Sequence, residues 1–134
     1  MTQRSDEIDY QIFGSEMQYV EVTLDPGEMV LAEAGTLMYM TSGIQMETVL
    51  GDPSHEAGFL GKMMTAGKRL LTGESLFVTT FTNQSRQREQ VAFASPYPGK
   101  ILPMHLDELG GELICQKDAF VCAARGTQIG VAFQ

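Results

Sequence analysis

Apolar and polar residues alternate with a period of two over much of this chain, the spacing of strands with one buried face. Val20-Glu21-Val22-Thr23-Leu24 alternates strictly, with Val20, Val22 and Leu24 on one side. Asp25-Pro26-Gly27-Glu28 then predicts a turn, because Pro26 presets its own φ and Gly27 tolerates a positive one. Met29–Ala34 and Thr36–Thr41 follow as strands separated by Gly35, and Ser42-Gly43 turns the chain into Ile44–Val49. Ser75–Thr82 alternates again, Phe77, Thr79 and Phe81 facing away from Leu76, Val78 and Thr80. Asn83–Glu89 is expected to be a polar loop, Val91–Ala94 a short strand and Ser95-Pro96-Tyr97-Pro98-Gly99 a firm break. Lys100–Leu106, Glu112–Lys117, Ala119–Ala124 and Gln128–Phe133 bring the total to roughly ten strands. Their regular spacing predicts an all-β fold, an antiparallel sandwich or barrel-like arrangement.

One passage breaks the rhythm. Ala57–Phe77, "AGFLGKMMTAGKRLLTGESLF", gathers its apolar residues in pairs. Projected at about 100° per residue, Phe59, Leu60, Met63, Met64, Leu70 and Leu71 fall within about 140°, with Lys62, Thr65, Lys68 and Arg69 opposite. A short helix or glycine-rich connector near 57–72 is expected, and interior glycines cost a helix about 1 kcal/mol each, so it needs tertiary support. It can pack on the sheet, or its Met- and Phe-bearing basic face can meet a membrane surface or a protein partner. For the second use the candidate residues are Phe59, Leu60, Met63, Met64, Lys68 and Arg69. A phosphate loop fails on spacing: G-x-x-x-x-G-K-[ST] needs one residue fewer between Gly61 and Gly67-Lys68, and Arg69 stands where the hydroxyl belongs.

A weak internal repeat joins "LDPGEMVLAEAGTLMYM" (24–40) to "LDELGGELICQKDAFVCAA" (106–124), with Gly27-Glu28 and Gly111-Glu112 lying 84 positions apart. It hints at two similar β units packed together.

Composition narrows the functions. The 134 residues suit one domain with its own core, residues 1–134. Nine basic residues against 17 acidic ones give a net charge of −8, a field that repels nucleic acid and anionic lipid unless a basic patch is local. No apolar run reaches the roughly eighteen residues of a membrane span, and "MTQRSDEIDYQIF" lacks the apolar centre of a secretory signal. Cys115 and Cys122 sit in strand-like sequence and are expected to be reduced, buried thiols in a cytoplasmic protein.

Catalytic chemistry finds little to work with. Gly73-Glu74-Ser75 lacks the second glycine of a nucleophile elbow. His55 and His105 have no further ligand at metal spacing, so no metal or cofactor is expected, and His105 should face solvent or a partner. Glu33 interrupts an apolar strand. It either points outward on the face of Met29 and Leu31 or is a buried carboxylate held by backbone amides, and a lone carboxylate runs no acid–base reaction. A hydrolase would need Glu33, His105 or Glu74 joined to a serine in a cleft. The sequence argues against an enzyme and names no catalytic residue.

The blocks "VEVTLDPGEMVLAEAGTLMYMTSGIQMET", "GKRLLTGESLFVTTFT" and "VAFASPYPGKILPMHLDELGGELICQKDAFVCAA" resemble, in order, the bacterial members of the altered-inheritance-of-mitochondria family, a domain of unknown function. The resemblance implies an all-β fold similar to the tryptophan RNA-binding attenuation protein, in a superfamily whose members often form rings or other oligomers. It also implies a mitochondrial biogenesis role for eukaryotic members. Such members commonly continue with another glycine-rich β block, whereas this sequence stops at "GVAFQ", as a short member or a half that pairs with another subunit. The expectation is a non-enzymatic β-sandwich acting by self-association and by binding protein or a membrane surface. The alternative is a small-ligand or RNA-binding module of the attenuation-protein type. The acidity and the lack of a Lys/Phe platform disfavour nucleic acid.

Overall fold

The computed structural model describes residues 7–50, 77–127 and 129. Its described strands are β1 (Asp9–Phe13), β2 (Tyr19–Leu24), β3 (Met29–Ala32), β4 (Leu37–Met40), β5 (Ile44–Leu50), β6 (Phe77–Asn83), β7 (Glu89–Ala94) and β8 (Cys122–Ala124). They form two four-stranded antiparallel sheets, ordered β1-β2-β7-β4 and β5-β6-β3-β8. Among the described residues both sheets keep two open edges, so the sandwich reading holds and these strands do not close a barrel.

The core lies between the sheets. Val20, Val22 and Leu24 from β2, with Val91 and Phe93 from β7, meet Val30, Ala32, Ile44 and Phe81 from the other sheet. Phe81 and Phe93 bridge the layers edge to face, with ring centroids 5.1 Å apart at 74°, a favoured aromatic geometry. The strict alternation of β2 is borne out residue by residue. β6 departs from it: Val78, Thr79, Thr80 and Phe81 are all buried, as in a strand covered on both faces.

The turn at Asp25–Glu28 forms as expected, with Gly27 at φ +85° and the Glu28 amide donating to the Asp25 carbonyl at 3.0 Å. β3 ends at Ala32, earlier than expected, because Ala34–Thr36 winds into a 3-10 turn before β4. Within β4 the pairing to β7 slips between Leu37 and Tyr39, leaving Met38 bulged.

Several strand expectations do not hold. Lys100–Leu106 and Glu112–Lys117 are not strands, and Ala119–Ala124 shrinks to Cys122–Ala124. The chain there folds instead into 3-10 turns at Leu106–Leu109 and Lys117–Ala119. These segments have the alternation of strands but gain no ladder from the described residues, and alternation without a neighbour leaves backbone groups with no sheet to join. β1 is not among the predicted strands, since the acidic, polar run that leads into Asp9-Tyr10-Gln11-Ile12-Phe13 hides its pattern; it forms as an edge strand on β2. The strand expected at Gln128–Phe133 and the helix or connector near 57–72 lie outside the described residues.

Candidate functional site

The partner-binding candidates Phe59, Leu60, Met63, Met64, Lys68 and Arg69 all lie outside the described residues, as do His55 and Glu74. Glu33, His105 and the two cysteines are described. Glu33 follows β3 and is half-buried; its carbonyl accepts from the Thr36 amide and hydroxyl at 3.0 and 2.7 Å. Neither sequence reading of it holds in full. Leu31, meant to mark an outward face, is wholly buried, and no backbone amide of the described residues donates to the Glu33 carboxylate.

Glu33, Gly35, Thr36, Pro96, Asp118 and Phe120 line a cleft of about 60 Å³ between the 3-10 turns at 34–36 and 117–119. Thr36 ties the two turns together, its hydroxyl lying 3.2 Å from the Val121 carbonyl. That volume admits a few waters, whereas metabolite pockets run to roughly 300–1,000 Å³. The cleft holds no serine and no histidine, so it does not assemble the hydrolase set. His105 is exposed at the start of the 106–109 turn, as expected. Among the described residues no three His, Cys, Asp or Glu side chains group as metal ligands. No helix among them is long and apolar enough to cross a membrane.

The thiols differ from expectation. Both cysteines are free. Cys122 is half-buried, and burial pushes its thiol up to about 12. Cys115 is exposed rather than buried, because the strand expected around it does not form.

The described surface carries an apolar stretch at each of two places. One runs through the C-terminal excursion, where Leu102, Met104, Leu109, Leu113 and Ile114 are exposed, Leu102 at 68% and Ile114 at 66%. The other is β4, where Met38, Tyr39 and Met40 are exposed on a strand paired, among the described residues, on one side only. Tyr39 donates its hydroxyl to the Glu21 carboxylate. That bond, with some burial and the carboxylate's charge, lifts the phenol from its ordinary 10.0 to about 12. On the same outer face Phe13 and Tyr19 stack with centroids 5.1 Å apart.

Sequence reasoning missed a polar corner at one end of the sandwich. Asn83 and Glu89, assigned to a solvated loop, are 1% and 5% exposed. The Asn83 amide donates to the carbonyls of Leu24 and Gln87, both at 2.8 Å, and accepts from the Ser85 amide and hydroxyl. Glu89 accepts from the Gly43 amide at 2.7 Å. A Cβ on Gly43 would collide with that carboxylate, so the Ser42-Gly43 turn signal also marked a close approach. Polar side chains flanking a turn carry no sign of burial in their sequence.

The family described as mitochondrial biogenesis AIM24 matches residues 10–134. An uncharacterised protein of Streptococcus pyogenes serotype M6 is 30% identical over 90 residues, covering 66% of this chain and 34% of that protein. The chain thus spans about a third of that curated relative's length. A crystal structure of a Streptococcus pyogenes protein superposes with a TM-score of 0.47 at 22% identity, over 72% of this chain and 41% of that one.

Proposed function

The chain belongs to the mitochondrial biogenesis AIM24 family, and from that premise we propose that it is a non-enzymatic β-sandwich acting by self-association. The observation that carries this reading is the exposed apolar run of the C-terminal excursion, with Leu102, Met104, Leu113 and Ile114 open to solvent. Stable monomers seldom leave such a run uncovered. The names of the matched family and the relative point to no enzymatic activity.

Beyond self-association, the proposal assigns docking of a protein or a membrane surface to Phe59, Leu60, Met63, Met64, Lys68 and Arg69. It places the chain in the cytoplasm as one domain, and extends the family resemblance to a likeness in fold with the tryptophan RNA-binding attenuation protein. Such a likeness would carry no ligand with it, because function resides in sites and not in folds.

Light scattering across a concentration series tests the first part, and Phe59→Ser with Met63→Ser tests the second. The expected result is a concentration-dependent mass above 14.7 kDa. The mass should rise further with salt, because a net charge of −8 on each copy opposes association until it is screened. A mass of one chain at every concentration overturns self-association. Unchanged binding to vesicles or partner protein after the double substitution removes the role given to that segment.

A further inference from the structure

From Gly27 and Gly111 onward the internal repeat is structural, after a two-residue insertion in the second unit that follows the Leu-Asp pairs at 24–25 and 106–107. At an offset of 84, Gly27 corresponds to Gly111, and both take a positive φ, +85° and +92°. The 3-10 turn at Ala34–Thr36 corresponds to the one at Lys117–Ala119 within a residue, and β4 corresponds to β8. One member has no counterpart in structure. β3 should match Leu113–Gln116, yet that segment is no strand. Val30 is wholly buried, while Ile114, its equivalent, is 66% exposed.

The pairing between the units shows what is missing. β8, the β4-equivalent of the second unit, pairs antiparallel with β3 of the first. The reciprocal ladder would join the β3-equivalent, Leu113–Gln116, to β4. Among the described residues Leu37–Met40 pairs only with β7, which leaves its other edge for that ladder. Neither Leu37-Met38-Tyr39-Met40 nor Leu113-Ile114-Cys115-Gln116 contains a charge. Exposed edges normally carry charged residues or proline to prevent pairing; these two do not.

We propose that Leu113–Gln116 of one copy adds as an antiparallel strand to the open β4 edge of a second copy. This rests on the self-association read above and names its contact. Strand addition supplies ladder hydrogen bonds for recognition and lets alternate side chains set the register. The register follows from the repeat. Val30 opposite Ala124, Leu31 opposite Ala123 and Ala32 opposite Cys122 translate to Ile114 opposite Met40, Cys115 opposite Tyr39 and Gln116 opposite Met38. Each copy offers one donor segment and one acceptor edge, so reciprocal exchange closes a two-fold dimer and one-way donation builds a ring or chain.

The native Cys115 provides the test. The full chain carrying Tyr39→Cys is oxidised with copper–phenanthroline, which takes one electron and one proton from each thiol as the S–S bond forms, and is run on a non-reducing gel. Gln45→Cys, on the exposed edge of β5, is the control. The expected result is disulfide-linked dimers or ladders several-fold more abundant for Tyr39→Cys than for Gln45→Cys, and lost when Cys115→Ser is added. A disulfide within one chain would overturn the second copy as occupant. Equal cross-linking at 39 and 45, in a chain that scatters as an oligomer, would overturn the strand contact and leave self-association standing. A monomer throughout would overturn both. Should Tyr39→Cys not fold, Ile114→Lys in the otherwise native chain gives an independent readout. Its scattering mass should fall toward one chain, and an unchanged mass counts against the contact.

Discussion

Both ends of the Asn83 amide are occupied, two donors on carbonyls and the oxygen on Ser85. Replacing it with alanine strands the buried Leu24 carbonyl and frees the 84–88 turn. Buried groups left unpaired cost about 1–3 kcal/mol each. Asn83→Ala should therefore lower stability by about 2–3 kcal/mol, read as a lower urea midpoint with an unchanged slope. Tyr39 makes a pH-dependent contribution instead. Its phenol holds its proton more tightly in the folded state, so the stability it adds is present below pH 10.0 and disappears as pH rises through about 12. Tyr39→Phe should narrow the loss of stability across that window, measured as the difference in melting temperature between wild type and variant.

At the scale of single elements, what was legible depended on whether a strand's own pattern decides its fate. β2 buries Val20, Val22 and Leu24 and keeps Glu21 and Thr23 half-exposed, and its alternation states this directly. Lys100–Leu106 and Glu112–Lys117 have comparable patterns and yet are not strands, because a strand is completed by its neighbour and not by its own sequence. β1 shows the converse: a polar segment becomes a strand because β2 offers it an edge. The candidate site was less legible than the fold. The segment 57–72 was singled out for its periodicity, whereas the bareness of Ile114 and of the β4 edge becomes visible only through pairing. At the junction of the sheets, Phe81 meets Phe93 across the core with no exposure on either side. Removing a buried phenyl costs about 3–5 kcal/mol, so Phe81→Ala should leave the chain largely unfolded by circular dichroism near 37 °C. Phe81→Leu, which keeps most of the volume, should fold with a reduced melting temperature.

Across the described residues, the buried Asn83 and Glu89 make one end of the sandwich a polar corner. The Gly27 amide bonds the Asn83 carbonyl at 2.9 Å, the Asn83 amide bonds the Glu28 carbonyl, and the Gln84 amide bonds the Gly43 carbonyl, each at 3.0 Å. Three separate connections of the chain are thereby drawn to one corner: the turn after β2, the turn before β5 and the hairpin between β6 and β7. Arg88 adds exposed ion pairs to Asp9 and Asp25 there, which contribute little beside the buried bonds. The far end has the proline-rich break at 95–99, tied to 15–18 by bonds between unburied residues: the Gly99 amide to the Glu16 carbonyl at 2.8 Å and the Ile101 amide to the Gln18 side-chain oxygen at 2.7 Å. Rigidity should grade along the sandwich accordingly. In deuterium exchange, the amides of Gly27, Asn83 and Gln84 should open only when the whole molecule unfolds, while those of 97–104 exchange through local opening. Fast exchange at Gly27 and Asn83 would show that the corner opens on its own. The sandwich behaves in this respect like a book bound along one edge: its pages part at the free margin long before the spine gives way.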